Sequence, residues 1–132
     1  MIRILVLSLL ALSACTNSST ELRLYSKKIG FNSDKATLLV SLENCSYCFG
    51  EYQETVEELD KLKFNVVIIS SQKKKASLFA SPDDNSVFID NEKIAIKLGL
   101  IESLPIIILP SGERLEIFSP EQLLNYAETY VP

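Results

Sequence analysis

The chain has 132 residues, 47% of them hydrophobic and 23% charged, with a formal net charge of −4 and neither histidine nor tryptophan. That length suits one domain, and the mild acidity leaves no electrostatic footprint for nucleic acid. Without histidine there is no Ser-His-Asp triad, no Cys-His nucleophile pair and no histidine-ligated metal site, so thiols, carboxylates, lysines and tyrosines remain for chemistry.

Arg3 precedes an apolar run, Ile4 to Leu12, broken only by Ser8. The run is about half the length a membrane-spanning helix needs, and it reads as the h-region of a signal peptide. It ends in Leu12-Ser13-Ala14-Cys15, which resembles the bacterial lipobox. The resemblance implies that residues 1–14 are a removed signal and that Cys15 carries a lipid as the first residue of the mature chain. An ordinary signal peptide with an incidental cysteine is the alternative. Thr16 to Thr20 is polar and suits a tether, so residues 15–35 read as an anchored N-terminus and residues 36–132 as the domain. Thr16 stands where aspartate is the usual inner-membrane retention signal. The lipoprotein rule therefore favours the outer membrane, with the domain on the periplasmic side. Disulfides persist in such a compartment. With Cys15 lipidated, two cysteines remain, Cys45 and Cys48.

Leu22 and Leu24 alternate with polar residues, the pattern of a short edge strand, and Gly30 to Asp34 reads as a turn. Ala36 to Leu42 is an apolar run of strand length, as a doubly covered central strand requires. From Cys48 to Lys63 the period changes. Phe49, Tyr52, Val56, Leu59 and Leu62 fall at helical spacing, with Glu51, Glu54, Glu57, Glu58 and Lys61 on the other face. Phe64 to Ser70 is a second buried-strand run, which completes a βαβ unit with parallel strands. Lys73 to Ala80 reads as a short helix, and Lys73-Lys74-Lys75 as solvated surface rather than a phosphate-tracking patch. Pro82 to Ser86 is a loop and Val87 to Ile89 an extended piece. Asp90 or Asn91 can cap a helix that runs to about Leu98 and stops at Gly99. Ile106 to Leu109 and Arg114 to Phe118 flank Pro110-Ser111-Gly112-Glu113, a hairpin signal. Ser119-Pro120-Glu121-Gln122 opens a last helix with a capping box, and Leu123, Leu124, Ala127 and Tyr130 give it an apolar face.

Cys45 and Cys48 are three positions apart, between a buried strand and a helix. A zinc site would need a second cysteine pair or histidines. A purely structural disulfide would close so short a loop that it stabilises little through loop entropy. The setting favours a redox pair. At a helix N-terminus, free N–H groups and the helix dipole stabilise a thiolate and lower a cysteine pKa from about 8.5 into the range of about 3.5 to 7.5. Cys45 is then the exposed attacking sulfur and Cys48 the buried resolving one.

These stretches resemble the thioredoxin superfamily, most closely the catalytic domain of DsbC/DsbG-type periplasmic disulfide isomerases. Cys45-Ser46-Tyr47-Cys48 is close to that family's Cys-Gly-Tyr-Cys, and Ile94 to Leu100 to its helix leading into a proline loop. Ser103-Leu104-Pro105 to Gly112 is similar to its proline, strand and turn segment, and Ser119 to Tyr130 to its final helix. The resemblance implies a thioredoxin-like α/β fold, a central mixed sheet flanked by helices. It further implies a cis Leu104–Pro105 peptide facing the cysteines, substrate contacts at Leu104, Pro105, Ser46 and Tyr47, and no cofactor or metal. Its partners would be protein substrates with cysteines, a redox partner protein, and the membrane through the lipid anchor. A plain proline at a strand start is the other reading of Pro105.

The sequence also departs from that family. Leu104 stands where threonine is usual. About 20 residues separate Cys15 from the first central strand, too few for the isomerases' dimerisation domain. The segment between Ser70 and Asp90 is shorter than the family's helical insert. Leu39 occupies the strand position where thioredoxins bury an acid, and Glu43 reads as a solvated loop residue. Tyr52, Tyr126 and Tyr130 read as core or boundary residues. Ser46-Tyr47 lacks the histidine of the strong oxidant DsbA, which favours a reductant or isomerase-like role. The competing reading is a thioredoxin-fold assembly module of an envelope machine, for conjugation or secretion, with little redox turnover.

Overall fold

In chain order the elements are α1 (19–29), β1 (Ala36–Ser41), α2 (Cys48–Glu58), β2 (Phe64–Ile69), α3 (Lys73–Phe79), β3 (Val87–Asp90), α4 (Ile94–Lys97), β4 (Ile106–Ile108), β5 (Arg114–Glu116) and α5 (Pro120–Thr129). They come from a computed structural model that describes residues 19–43, 45, 48–81 and 84–132. Cys15, Ser46, Tyr47 and the leader segment lie outside the described residues, as does part of the loop expected over Pro82 to Ser86.

Apolar runs with no alternation make the two central strands, and every residue of β1 and β2 is buried. They pair in parallel from Ala36↔Phe64 to Ser41↔Ile69. β3 adds in parallel outside β2, β4 pairs antiparallel with β1, and β5 antiparallel with β4. The sheet is mixed, in the order β3-β2-β1-β4-β5, with helices on both faces. On one face α2, α3 and α5 pack Cys48, Val56, Phe79 and Leu123 onto Leu38, Val66 and Ile68. On the other, α1 and α4 pack Leu22, Tyr25 and Ala95 onto Leu39, Val67 and Ile108.

The expected edge strand at Leu22 and Leu24 is a helix instead. Leu22, Tyr25 and Ile29 fall at i, i+3 and i+7 on its inner side, while Leu24 is exposed. Because Leu22 and Tyr25 are core residues, the packed chain begins ahead of residue 36. α2 is also shorter than its periodicity suggested. The Asp60 side chain accepts from Leu62 N at 2.9 Å, its carbonyl accepts from Lys63 N and Phe64 N, and Leu62 turns out to solvent. Lys73-Lys74-Lys75 forms the first turn of α3.

Several local signals fold as written. Ser119 Oγ accepts from Gln122 N at 3.1 Å, and Gln122 Oε1 reaches back to accept from Phe118 N. Gly112, at φ +91°, closes the hairpin by donating to Leu109 O. α4 ends in a Schellman turn, with Leu100 N donating to Ala95 O and Gly99 N, at φ +70°, to Ile96 O. α4 is shorter than expected, four residues from Ile94 with Lys93 at its N-cap. Asp90, the last residue of β3, reaches it by side chain, its buried carboxylate accepting from Ile94 N at 3.0 Å, Ala95 N at 2.9 Å and Tyr25 Oη at 2.9 Å. That carboxylate ties β3, α1 and α4 together.

Two outcomes follow. Replacing Ser119 by alanine should cost about 1 kcal/mol in urea unfolding, the usual value of such a cap. Burial, then the charge and hydrogen bond of Asp90, raise the Tyr25 hydroxyl well above its ordinary 10.0. Above about pH 10 the unfolded chain therefore binds fewer protons than the folded one, and stability falls by up to about 1.4 kcal/mol per pH unit. Tyr25→Phe should cost about 1–3 kcal/mol at neutral pH and flatten that alkaline decline relative to the parent. Equal pH slopes in the two proteins would contradict the Tyr25–Asp90 bond.

Candidate active site

β1 leads into the site through a short, pinned turn. Leu42 N donates to Ile69 O at 2.9 Å, extending the β1–β2 ladder by one bond, and Glu43 N donates to Ser41 Oγ at 3.2 Å. Glu43 Oε1 accepts from both Ser71 N and Ser71 Oγ. These bonds, with smaller help from Lys93 and Lys75, hold the Glu43 carboxyl below the usual carboxylate range. The turn before the cysteines is thus tied to the turn that follows β2.

Cys45 and Cys48 are joined by a disulfide, with S–S 2.05 Å and Cα atoms 5.4 Å apart. Cys48 is the first residue of α2 and its N–H donates to Cys45 O at 3.4 Å. Cys45 therefore stands three positions ahead of the helix, and the disulfide brings its sulfur to the first turn. Cys48 is 0% exposed within the core that includes Tyr52 and Val56, whereas Cys45 is half-buried at its border. This grading matches an outer and an inner sulfur. Phe49, the next residue, meets Phe79 of α3 edge to face at 5.5 Å and fixes α2 against α3.

Leu104 and Pro105 come to the same edge of the sheet. Ile106 pairs with Leu39, so Pro105 and Leu104 lie level with Val40 and Ser41, at the end of β1 that runs to Cys45. Pro105 is buried and its carbonyl accepts from Ile117 N at 2.8 Å. The cis Leu104–Pro105 bond is not found: no cis peptide occurs among the described residues. Trans is the cheaper state by about 0.5–1 kcal/mol, and a proline leading into a strand gives up no ladder hydrogen bond it could otherwise donate. Pro105 thus takes the strand-start role. Leu104 is half-buried and lines a cleft of about 440 Å³ with residues 99–103, Ile106, Arg114 and Glu116. That cleft lies toward the α1 and α4 face and neither cysteine lines it.

Leu39 is a buried core residue, as expected. The buried carboxylate is Asp90, at the end of β3. With strands about 4.8 Å apart and β2 between them, it is about 10 Å across the sheet from β1. Tyr52 is buried in the core, and Tyr126 and Tyr130 stack on each other at 5.6 Å. Glu43 is exposed, yet it does more than meet solvent. Its role was open to view in the register. Ser41 pairs with Ile69, so residues two positions beyond, Glu43 and Ser71, must face each other.

No protein-family model and no curated protein matches the chain. Among solved structures it is similar to the thioredoxin domain of a thiol-disulfide oxidoreductase from Bacteroides vulgatus. The TM-score is 0.51 at 16% identity, over 76% of this chain and 81% of that one. The reduced N-terminal domain of PilB from N. meningitidis aligns at a TM-score of 0.41 and 15% identity, over 74% of this chain and 82% of that one. At these identities the likeness to the first establishes the fold: a mixed five-stranded sheet flanked by helices, of the thioredoxin-like α/β type.

Proposed function

We propose that this chain is an exported, lipid-anchored thiol–disulfide oxidoreductase that acts on disulfides of cell-envelope proteins through Cys45 and Cys48. One observation carries the redox reading. A half-buried and a fully buried cysteine share a disulfide at the turn where the first central strand of a thioredoxin-like sheet gives way to a helix. The anchoring reading rests on Leu12-Ser13-Ala14-Cys15, and the periplasmic, outer-membrane location on Thr16.

In the reducing direction the Cys45 thiolate attacks one sulfur of a substrate disulfide. That bond breaks, the first substrate sulfur leaves as a thiolate and takes a proton from water, and Cys45 holds the second in a mixed disulfide. Cys48, deprotonated, then attacks the Cys45 sulfur. The second substrate thiol leaves, the Cys45–Cys48 disulfide forms, and two electrons have passed to the substrate. A partner protein carrying a dithiol must return them. Release of the mixed disulfide by the substrate's own second thiol would reshuffle bonds without net transfer. Ser46-Tyr47 between the cysteines lacks the histidine of the strong oxidant, which favours reduction or isomerisation. Leu104, Pro105, Ser46 and Tyr47 would border the bound substrate.

Two measurements test this. In Cys48→Ala, the rate of Cys45 alkylation against pH should report a thiol pKa well below the ordinary value of about 8.5. An ordinary thiol, or full cellular function of the Cys45→Ser, Cys48→Ser double variant, would remove the enzyme reading. Equilibration with glutathione should give a reduction potential nearer to about −270 mV than to about −120 mV. A value at the oxidising end would reverse the direction assigned here.

A further inference from the structure

Five of the chain's 13 basic residues stand at one edge of a molecule whose formal charge is −4. Lys73, Lys74 and Lys75 form the first turn of α3, and Lys93 and Lys97 are the N-cap and last residue of α4. Each helix follows the C-terminal end of a parallel strand, so both sets emerge at the edge that carries Cys45. A groove of about 240 Å³ there is lined by Glu43, Lys93, Ile96 and Lys97, two residues from Cys45 in sequence. Lys75 approaches from the α3 side, near enough to act electrostatically on Glu43.

These ammonium groups differ from three at the far edge of the sheet. Lys35, Lys61 and Lys63, at the far edge, each donate Nζ to a backbone carbonyl, at 2.9, 2.6 and 3.2 Å respectively. Among the described residues, no hydrogen bond or ion pair holds Nζ of Lys75, Lys93 or Lys97. Glu43, the acid within the groove, accepts from Ser71 through Oε1 alone and keeps its charge, which Lys93 and Lys75 favour. The arrangement is also costly to the fold. Three lysines crowd the positive end of a helix dipole, with no acidic residue in that turn. Lys93 has a left-handed backbone at φ 58°, an unfavourable state for a non-glycine residue, held in place by the grip of Asp90 on the next two N–H groups. Charge placed against local stability, gathered around one carboxylate at the edge that carries Cys45, points to a function.

On the redox reading given above, we propose that Lys75, Lys93 and Lys97 recruit substrate proteins through an acidic segment flanking the cysteine that Cys45 attacks. A client must lay its backbone across the half-buried sulfur, and this groove is what it meets on the α4 side. The occupant is therefore a stretch of protein chain, with carboxylates spaced to reach three lysines.

The test uses three peptide disulfides that differ only in acidic, neutral or lysine-rich flanks, with kcat/KM measured at low and high salt. At about 10 mM salt the acidic peptide should exceed the neutral one about tenfold, and the gap should close where screening is strong. In Lys93→Glu, Lys97→Glu the ratio should fall to about one. Lys93→Asn, Lys97→Gln, which keeps a residue tolerant of the left-handed backbone, should reduce it partway. Equal rates for the acidic and neutral peptides would overturn the proposal, as would a preference that survives the lysine changes. Binding to anionic vesicles without peptide preference would also overturn it. If no peptide is turned over, fluorescence anisotropy of the acidic peptide on Cys45→Ser, Cys48→Ser decides separately. Salt-sensitive binding supports the surface even though the redox reading has failed, and no binding rejects it.

Discussion

The parallel pairing of β1 with β2 decides where the described residues of the candidate site sit. Parallel strands must be joined by crossovers, so each strand of the β1–β2–β3 unit hands on to a helix at the same edge. That edge receives the turn with Cys45, the turn with Ser71, and Asp90 with α4. β4 enters from the same side because it runs antiparallel to β1, and it brings Leu104 and Pro105. The register itself needs explaining, because in strands buried on both faces a one-residue slip exchanges the two faces without moving apolar side chains into solvent. Two polar pairs read the same offset. Asn65 Nδ2 donates to Thr37 Oγ1 at the start of the ladder, and Ser71 donates to Glu43 beyond its end, each 28 positions apart in sequence. A slip by one residue would break both and leave a buried amide without that partner, a penalty of about 1–3 kcal/mol.

Glu43 therefore has a structural reason to be acidic. A carboxylate accepts from the backbone and the hydroxyl of Ser71 together, which a neutral side chain of similar length does less strongly. It holds the turn before Cys45 against the turn before α3, and so holds α3 and its lysines near the cysteines. Phe49 on Phe79 does the same from the core side. The chain is thus held by side chains just before Cys45 and just after Cys48.

Much of this was legible in the chain. Unbroken apolar runs gave β1 and β2, and turn chemistry gave the 110–113 hairpin. A serine, a proline and a glutamine in the right order gave α5. The misses have identifiable causes. α1 was hidden because Leu22 and Leu24 suggest a period of two, while the packing stripe runs through Tyr25 and Ile29. The end of α2 depended on Asp60 turning the chain, although Leu59 and Leu62 continue the helical spacing. The family likeness suggested a cis Leu104–Pro105 bond, whereas the local chemistry of a strand start is met by trans. Glu43 went unrecognised because its partner is 28 residues away and visible only once the register is known.

On the proposed reading, the two sides of the cysteine edge would offer a client different things. Toward β4 and β5 the Pro105–Ile117 hydrogen bond carries the ladder past the strands, so that Leu104 and Phe118 follow as neighbours, with Phe118 70% exposed. Toward β2 and β3 the surface is charged. Neither side alone is large. A few apolar atoms near Leu104 bury too little area to hold a protein tightly, and exposed ion pairs are each worth about 0–1 kcal/mol. That weakness fits the proposed chemistry. A redox protein must release its client after each exchange, so tight binding would slow turnover. Charges near the site act mainly on encounter, raising the rate of approach without prolonging the stay. In the proposed cycle the covalent mixed disulfide would supply the lasting hold that the surface lacks, and attack by Cys48 would end it.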